Sequence, residues 1–229
     1  MNIEPIAVIH TPYATKFGIP RQSGLAETPG RIVFEKEYRV PEAVRGLEAY
    51  SHLWLIWEFT EAKSEGWSPT VRPPRLGGNR RVGVFATRSP FRPNSLGLSC
   101  VKIERVALDE PDAPVIYVRG ADLLDGTPIY DIKPYLPFTD AVTDAVGGFS
   151  EDVKAQRLSV DIPGPLREAL GGDLPVVTEL LAQDPRPHYQ DDPDREYRFE
   201  YNGQRIAFRV ENGTAYVLSA EKISGQKAR

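Results

Sequence analysis

One cysteine and three histidines among 229 residues leave little material for a metal centre. Cys100 alone excludes an internal disulfide and any multi-cysteine cluster. Its place in the apolar run LGLSCVKI predicts a buried, inert thiol. His10, His52 and His188 are scattered along the chain; the first two close or open apolar runs, where a hydrogen-bonded strand-end histidine is expected. No metal is expected. No run approaches the ~18 apolar residues of a membrane span. The opening MNIEPIAVIHTPY has an acid at Glu4, no basic flank and too short an apolar stretch for a secretory signal, so a cytoplasmic protein is expected. GxGxxG after a strand, GxxxxGK[ST] and HExxH are all absent, which argues against the usual α/β nucleotide enzymes and zinc proteases.

A local absence is more informative. From Gly66 to Ile103 there is no Asp or Glu, while Arg72, Arg75, Arg80, Arg81, Arg88, Arg92 and Lys102 give +7; the total is −4, so the remainder carries −11. A charge run is often only a solvated face. Here the arginines are interleaved with prolines and glycines that restrict the backbone, as in GVFATRSPFRPNSLGLS, and that makes a preformed anion-recognising surface a serious competitor to the solvated face.

Short runs bounded by turn residues recur: IEPIAVIH, RIVFEKEY, HLWLIWEF, RVGVFAT, LSCVKIERVAL, VIYVRGA and PIYDIKPY. EAVRGLEAY, 42 to 50, is the one short helical candidate in this part. The pattern is mainly β, most simply a barrel that hides its edges. The division expected is a barrel domain over 1–138, a linker over 139–156 and a C-terminal α+β domain over 157–229. The last unit reads as a strand RLSVDI, helices from PLREALGG and PVVTELLAQ, and a proline-stiffened DPRPHYQDDPD loop. Asn202-Gly203 and Asn212-Gly213 between alternating runs then predict a three-stranded meander.

The polar turns hold the chemistry. GIPRQSGL carries Arg21, Gln22 and Ser23; DLLDGTPIYDIKPY carries Asp122, Asp125, Asp131 and Lys133. Asp125-Gly126 is most simply a turn, and Asp131 with Lys133 a surface pair, since residues two apart on a strand project the same way.

Taken together and in order, RQSGL, AVRGLEAYSHLWLIWEF, PTVRPPRLGGNRRVGVFATRSPFRPNSLGLS, DLLDGTPIYDIKPYLPF and LAQDPRPHY resemble the signature segments of the TrmO, or TsaA-like, family. The resemblance implies a β-barrel enzyme that uses S-adenosylmethionine to methylate N6 of threonylcarbamoyladenosine (t6A), the modified adenosine beside the tRNA anticodon. It also implies a homodimer and a C-terminal extension that recognises tRNA. One departure stands out: the family commonly reads RPNPIG where this chain has Arg92-Pro93-Asn94-Ser95-Leu96-Gly97, which loosens the loop and removes no functional group.

By this resemblance the cofactor pocket draws on Gln22, Ser23, Gly24, Phe59, Thr60, Arg88, Leu98, Asp122, Leu123, Leu124, Asp125 and Gly126. Such a set is chemically coherent: turns bring backbone groups close to a nucleoside, an aromatic covers the base, carboxylates accept from hydroxyls, and Arg88 forks a carboxylate. Arg72, Arg75, Arg80, Arg81 and Arg92 then remain for tRNA phosphates, and Arg186, His188 and Tyr189 for the anticodon loop. Asp131, oriented by Lys133, is the candidate general base. Two other readings use the same residues: a non-catalytic RNA-binding barrel, and a small-molecule methyltransferase on the same barrel.

Overall fold

The structure is a computed structural model that describes residues 2–61, 67–73, 76, 80–151, 157–186 and 192–223. Arg75, His188 and Tyr189 lie outside the described residues. Six strands, β1 (Ala7–His10), β2 (Pro29–Phe34), β3 (His52–Glu58), β6 (Leu96–Ala107), β7 (Val115–Arg119) and β8 (Thr127–Pro134), close a barrel in the order β1-β2-β7-β6-β3-β8. Between β3 and β6 the two-residue strands β4 (Thr70–Val71) and β5 (Val82–Gly83) form a separate ribbon.

Alternation drives the closure. In β3 the residues Leu53, Leu55 and Trp57 point inward while His52, Trp54 and Ile56 are half-exposed. They meet Ile9, Ile32, Val101, Ile116, Val118 and Ile129 in one core. The β3–β8 pairing shifts register after Ile56, because Ile56 faces Asp131 and Trp57 faces Ile129; Tyr130 is the extra residue of a bulge.

Two local expectations fail for visible reasons. The 42–50 stretch forms two short 3₁₀ turns, Pro41–Val44 and Leu47–Ala49, separated by Gly46 at φ +88°, which no continuing helix tolerates. The expected strand 81–87 pairs only at Val82–Gly83; Val84–Ala86 then curls into a turn whose Val84 is buried.

A second core lies under a four-stranded sheet, β10 (Tyr197–Tyr201), β11 (Gln204–Glu211), β12 (Thr214–Lys222) and β9 (Ser159–Asp161). The three consecutive strands form the expected meander. Both of its turns hold Asn and Gly at positive φ, Asn202 and Asn212 at 48° and the glycines at 72° and 73°. The sequence left unread the parallel pairing of β9 along β12. Helices Gly164–Leu170 and Leu174–Ala182 cover this core, the second through Val177, Leu180 and Leu181.

The segment between β1 and β2 joins the two cores. Tyr13 is fully buried edge-on against Tyr201 and its hydroxyl bonds Thr28 at 2.6 Å. Gly18, at φ +99°, lies so close to Phe199 that a Cβ would sit 2.7 Å from its ring. Phe17 and Ile19 pack on the same C-terminal core. The turn 20–25 therefore leaves the second core with a fixed back.

Candidate active site

A cavity of about 880 Å³ opens at one end of the barrel. Four stretches far apart in sequence line it: Lys16 to Gln22, Trp57 to Glu61, Thr87 to Leu98 in part, and Asp122 with Leu124 and Thr127. Of the residues expected to hold the cofactor, Gln22, Phe59, Thr60, Arg88, Leu98, Asp122 and Leu124 line this one space.

The remaining expected residues build its walls. Ser23 accepts the Cys100 amide through its hydroxyl at 3.0 Å, and the Gly24 amide donates to the Gly120 carbonyl at 2.9 Å, which pins the 20–25 turn to β6 and the end of β7. Gly120, at φ +85°, faces Gly24 at a distance where its missing Cβ would be only 3.1 Å away. Leu123 is buried and its carbonyl accepts from Thr11 at 2.8 Å. Asp125 reaches His10 at 3.1 Å and the Thr11 amide at 3.2 Å, and Gly126 takes φ +81° in the turn. Asp125 thus ties the 122–126 loop to the end of β1.

The floor is aromatic. Trp57 lies flat on Gly97, its partner across β3–β6; a Cβ at Gly97 would meet the indole at 2.3 Å. The indole N–H donates to Ser99 at 2.9 Å, and Phe59 stacks at a tilt with centroids 4.2 Å apart. Trp57 and Gly97 were legible in principle, the first from inward alternation and the second from an isolated glycine inside a strand.

Charge enters at two depths. Ser99 donates to Asp122 at 2.6 Å, and burial raises the Asp122 carboxyl to about 6 against the opposing pull of Ser99, its own backbone amide and Arg88. At the rim, Arg88 is exposed and donates to Gln22 Oε1. Glu58 lines the cavity and accepts from Tyr130, the bulge residue, at 2.7 Å; that bond raises the Tyr130 hydroxyl above its usual range. Lys16 and Glu61 face each other across the mouth at 3.1 Å.

Other expected residues fall elsewhere. Asp131 and Lys133 form an exposed pair at 2.9 Å outside the lining. Arg72, Arg80 and Arg81 are exposed, Arg81 donating to Thr70 at 3.2 Å, whereas Arg92 lines the cavity. Arg186 is 11% exposed and grips Asp184 through Nε and Nη2 at 2.8 and 2.9 Å. Arg21, from the cavity wall, donates to the Asp184 carbonyl at 3.0 Å, and Gln183 donates to the Leu25 carbonyl at 2.7 Å. Cys100 is half-buried rather than buried, because Ser99 and Val101 take the inward positions of β6; burial still pushes its thiol up. Among the described residues there is no metal-binding cluster of His, Cys, Asp or Glu, and no helix is long and apolar enough to cross a membrane.

Known proteins share this arrangement. Residues 8–141 match a family model described as the tRNA-methyltransferase O N-terminal domain, and residues 151–223 match the TrmO C-terminal domain. A tRNA (adenine(37)-N6)-methyltransferase of Escherichia coli is 40% identical over 96% of this chain and 97% of its own. One of Eikenella corrodens is 46% identical over 77% of this chain and all of its own. A crystal structure of TrmO from P. aeruginosa superposes with a TM-score of 0.78 at 32% identity, covering 97% of each chain. Both halves of the molecule, barrel and appended sheet, thus have counterparts in the same proteins, and the chain belongs to the tRNA-methyltransferase O family.

Proposed function

We propose that the chain transfers a methyl group from S-adenosylmethionine to N6 of adenine 37 in tRNA, and that t6A is the form of that base it accepts. One observation carries this reading: four distant stretches converge on a single cavity with an apolar floor and a deep carboxylate, and part of its rim, with Arg88 and Arg92, belongs to the acid-free arginine strip. The donor set fits the cofactor. S-adenosylmethionine supplies, when bound, a transferable methyl on a positively charged sulfur.

In this reading Phe59 and Leu98 cover the adenine over the Trp57 floor, and Asp122 accepts from ribose hydroxyls or the amino group. Arg88, freed from Gln22, forks the carboxylate. Delivery of N6 requires in-line approach, so the chain's main work is positioning. The carbonyl on N6 of t6A makes its N–H more acidic, and a nearby acceptor then helps. Within one protomer the lining offers Glu58, Asp122 and, paired with Lys16, Glu61. Asp131, held by Lys133, takes this role only across a dimer contact, which is where the expected homodimer enters. Residues 157–229 act as a tRNA-recognition domain, in the cytoplasm where tRNA is modified.

A small-molecule methyltransferase gives the cavity the same cofactor but leaves the arginine rim without work. The deciding assay incubates purified protein with labelled methyl donor and tRNA bearing or lacking the threonylcarbamoyl group. Label is expected in the modified tRNA alone. Equal labelling of both removes t6A as the substrate, and no labelling of either removes the enzyme reading.

A further inference from the structure

Three large aromatic side chains on the acid-free strip are left uncovered: Trp67 is 52% exposed, Phe85 71% and Phe91 49%. Two of them are organised. Trp67 and Phe85 stack with centroids 6.2 Å apart and planes 29° from parallel. Phe85 sits in the turn Val84–Ala86, which is anchored by buried Val84 and by its amide bond to the Pro69 carbonyl at 3.0 Å. Arg92 lies 5.7 Å from the Phe85 ring centre and is itself held by bonds to the Val84 and Thr87 carbonyls at 3.2 and 2.6 Å. Phe91 and Arg92 also line the cavity, so the stacked pair continues its mouth outward.

Scattered exposed apolar residues need no explanation, but a fixed aromatic stack beside a fixed guanidinium is a surface with a shape. Its charge selects the occupant. Arg72, Arg80 and Arg81 are exposed on the same strip, which holds no carboxylate, so a second copy docking its own strip here would oppose like charges. A single-stranded polyanion satisfies both parts, with flat bases for the rings and phosphates for the arginines.

Resting on the reading that RNA is the substrate, we propose that Trp67 and Phe85 form a platform on which an unpaired nucleobase next to the methylated adenine stacks. The barrel itself then contributes to RNA binding, and the platform fixes the register in which the target base enters the cavity.

The test uses the full chain and an anticodon stem-loop RNA carrying t6A. Trp67→Ala and Phe85→Ala are each expected to weaken RNA binding by about 5- to 50-fold in fluorescence anisotropy at fixed salt. Trp67→Phe keeps a flat ring and should stay within a few-fold of wild type. Calorimetric affinity for S-adenosylhomocysteine and the mass in sedimentation should not move. Unchanged RNA affinity in the double alanine variant overturns the proposal, as does a changed mass with RNA affinity intact, which would make the face a contact between copies. Methyl transfer by the wild type to the same RNA separates the two claims: transfer with unaltered binding in the double variant sinks the platform alone, and no wild-type transfer or binding sinks both.

Discussion

Arg88 and Arg186 each lie within two residues of a proline, and both end up near the 20–25 loop. Arg88 stands exposed at the cavity rim beside the neutral Gln22. Arg186 is nearly buried, committed to Asp184 on the turn that Arg21 ties to the cavity wall. The contrast lies in what surrounds them: the 66–103 strip contains no acid, whereas Asp184 stands two residues before Arg186. A guanidinium that no carboxylate binds directly, as Arg88 feels Asp122 only through space, remains available to a ligand; one with a bidentate partner becomes structure. On this account the barrel side of the cavity binds the cofactor, the Asp184–Arg186 turn holds the wall in place, and tRNA recognition falls to other residues of the C-terminal unit.

The largest effect expected is on the structural side. Asp184→Ala leaves Arg186 without its bidentate partner and should cost about 3 kcal/mol, read as a lower midpoint in thermal denaturation. If Arg186→Ala leaves the midpoint unchanged and alters only tRNA affinity, the two arginines are alike and the contrast fails.

Arg88→Ala should keep the wild-type midpoint yet lose about 10- to 100-fold in calorimetric affinity for the cofactor, the range for a hydrogen-bonded charge. Unchanged affinity removes Arg88 from the pocket.

Asp122 sharpens the comparison within the cavity. Its folded pKa of about 6 lies above the unfolded carboxylate value, so the protonated form favours the fold and that contribution is lost as pH rises toward 6. Cofactor binding needs the ionised acceptor and therefore runs the other way, strengthening through the same interval. Asp122→Asn should be more stable than wild type at neutral pH, by on the order of 2 kcal/mol, and converge with it below about pH 4. Its cofactor affinity should be weaker and flat across pH 5 to 7. A variant that is less stable, or one that keeps the pH-dependent binding, contradicts this.

The smallest effect belongs to the exposed Asp131–Lys133 pair. Asp131→Asn should change stability by less than about 0.5 kcal/mol. A large loss of turnover with that stability unchanged would place the residue at a neighbouring protomer's cavity.

Much of this molecule is legible in its sequence because alternation and turn chemistry agree. HLWLIWEF and the two Asn-Gly turns each have one physical solution, and the barrel strands and meander follow. The 42–50 segment misleads because apolar spacing outweighs Gly46 in the reading, while the chain uses the glycine's positive φ to break it. In the candidate site, the resemblance collects the residues but not their depth. Nothing local marks Asp125 as a tie to His10, Ser23 as a support for β6, or Arg186 as a partner of its own turn; those roles depend on contacts 115 and 77 residues apart or on burial. Trp67 and Phe85 are eighteen positions apart, and the β4–β5 pairing, extended by the Val84–Pro69 bond, folds the strip back and brings them together.

The most direct test of the central claim is a crystal structure of the chain with S-adenosylhomocysteine. Nucleoside density is expected between Phe59 and Leu98 over Trp57, with Asp122 and Arg88 in contact with its polar ends. Density on another surface, with this cavity filled only by solvent, would contradict that claim.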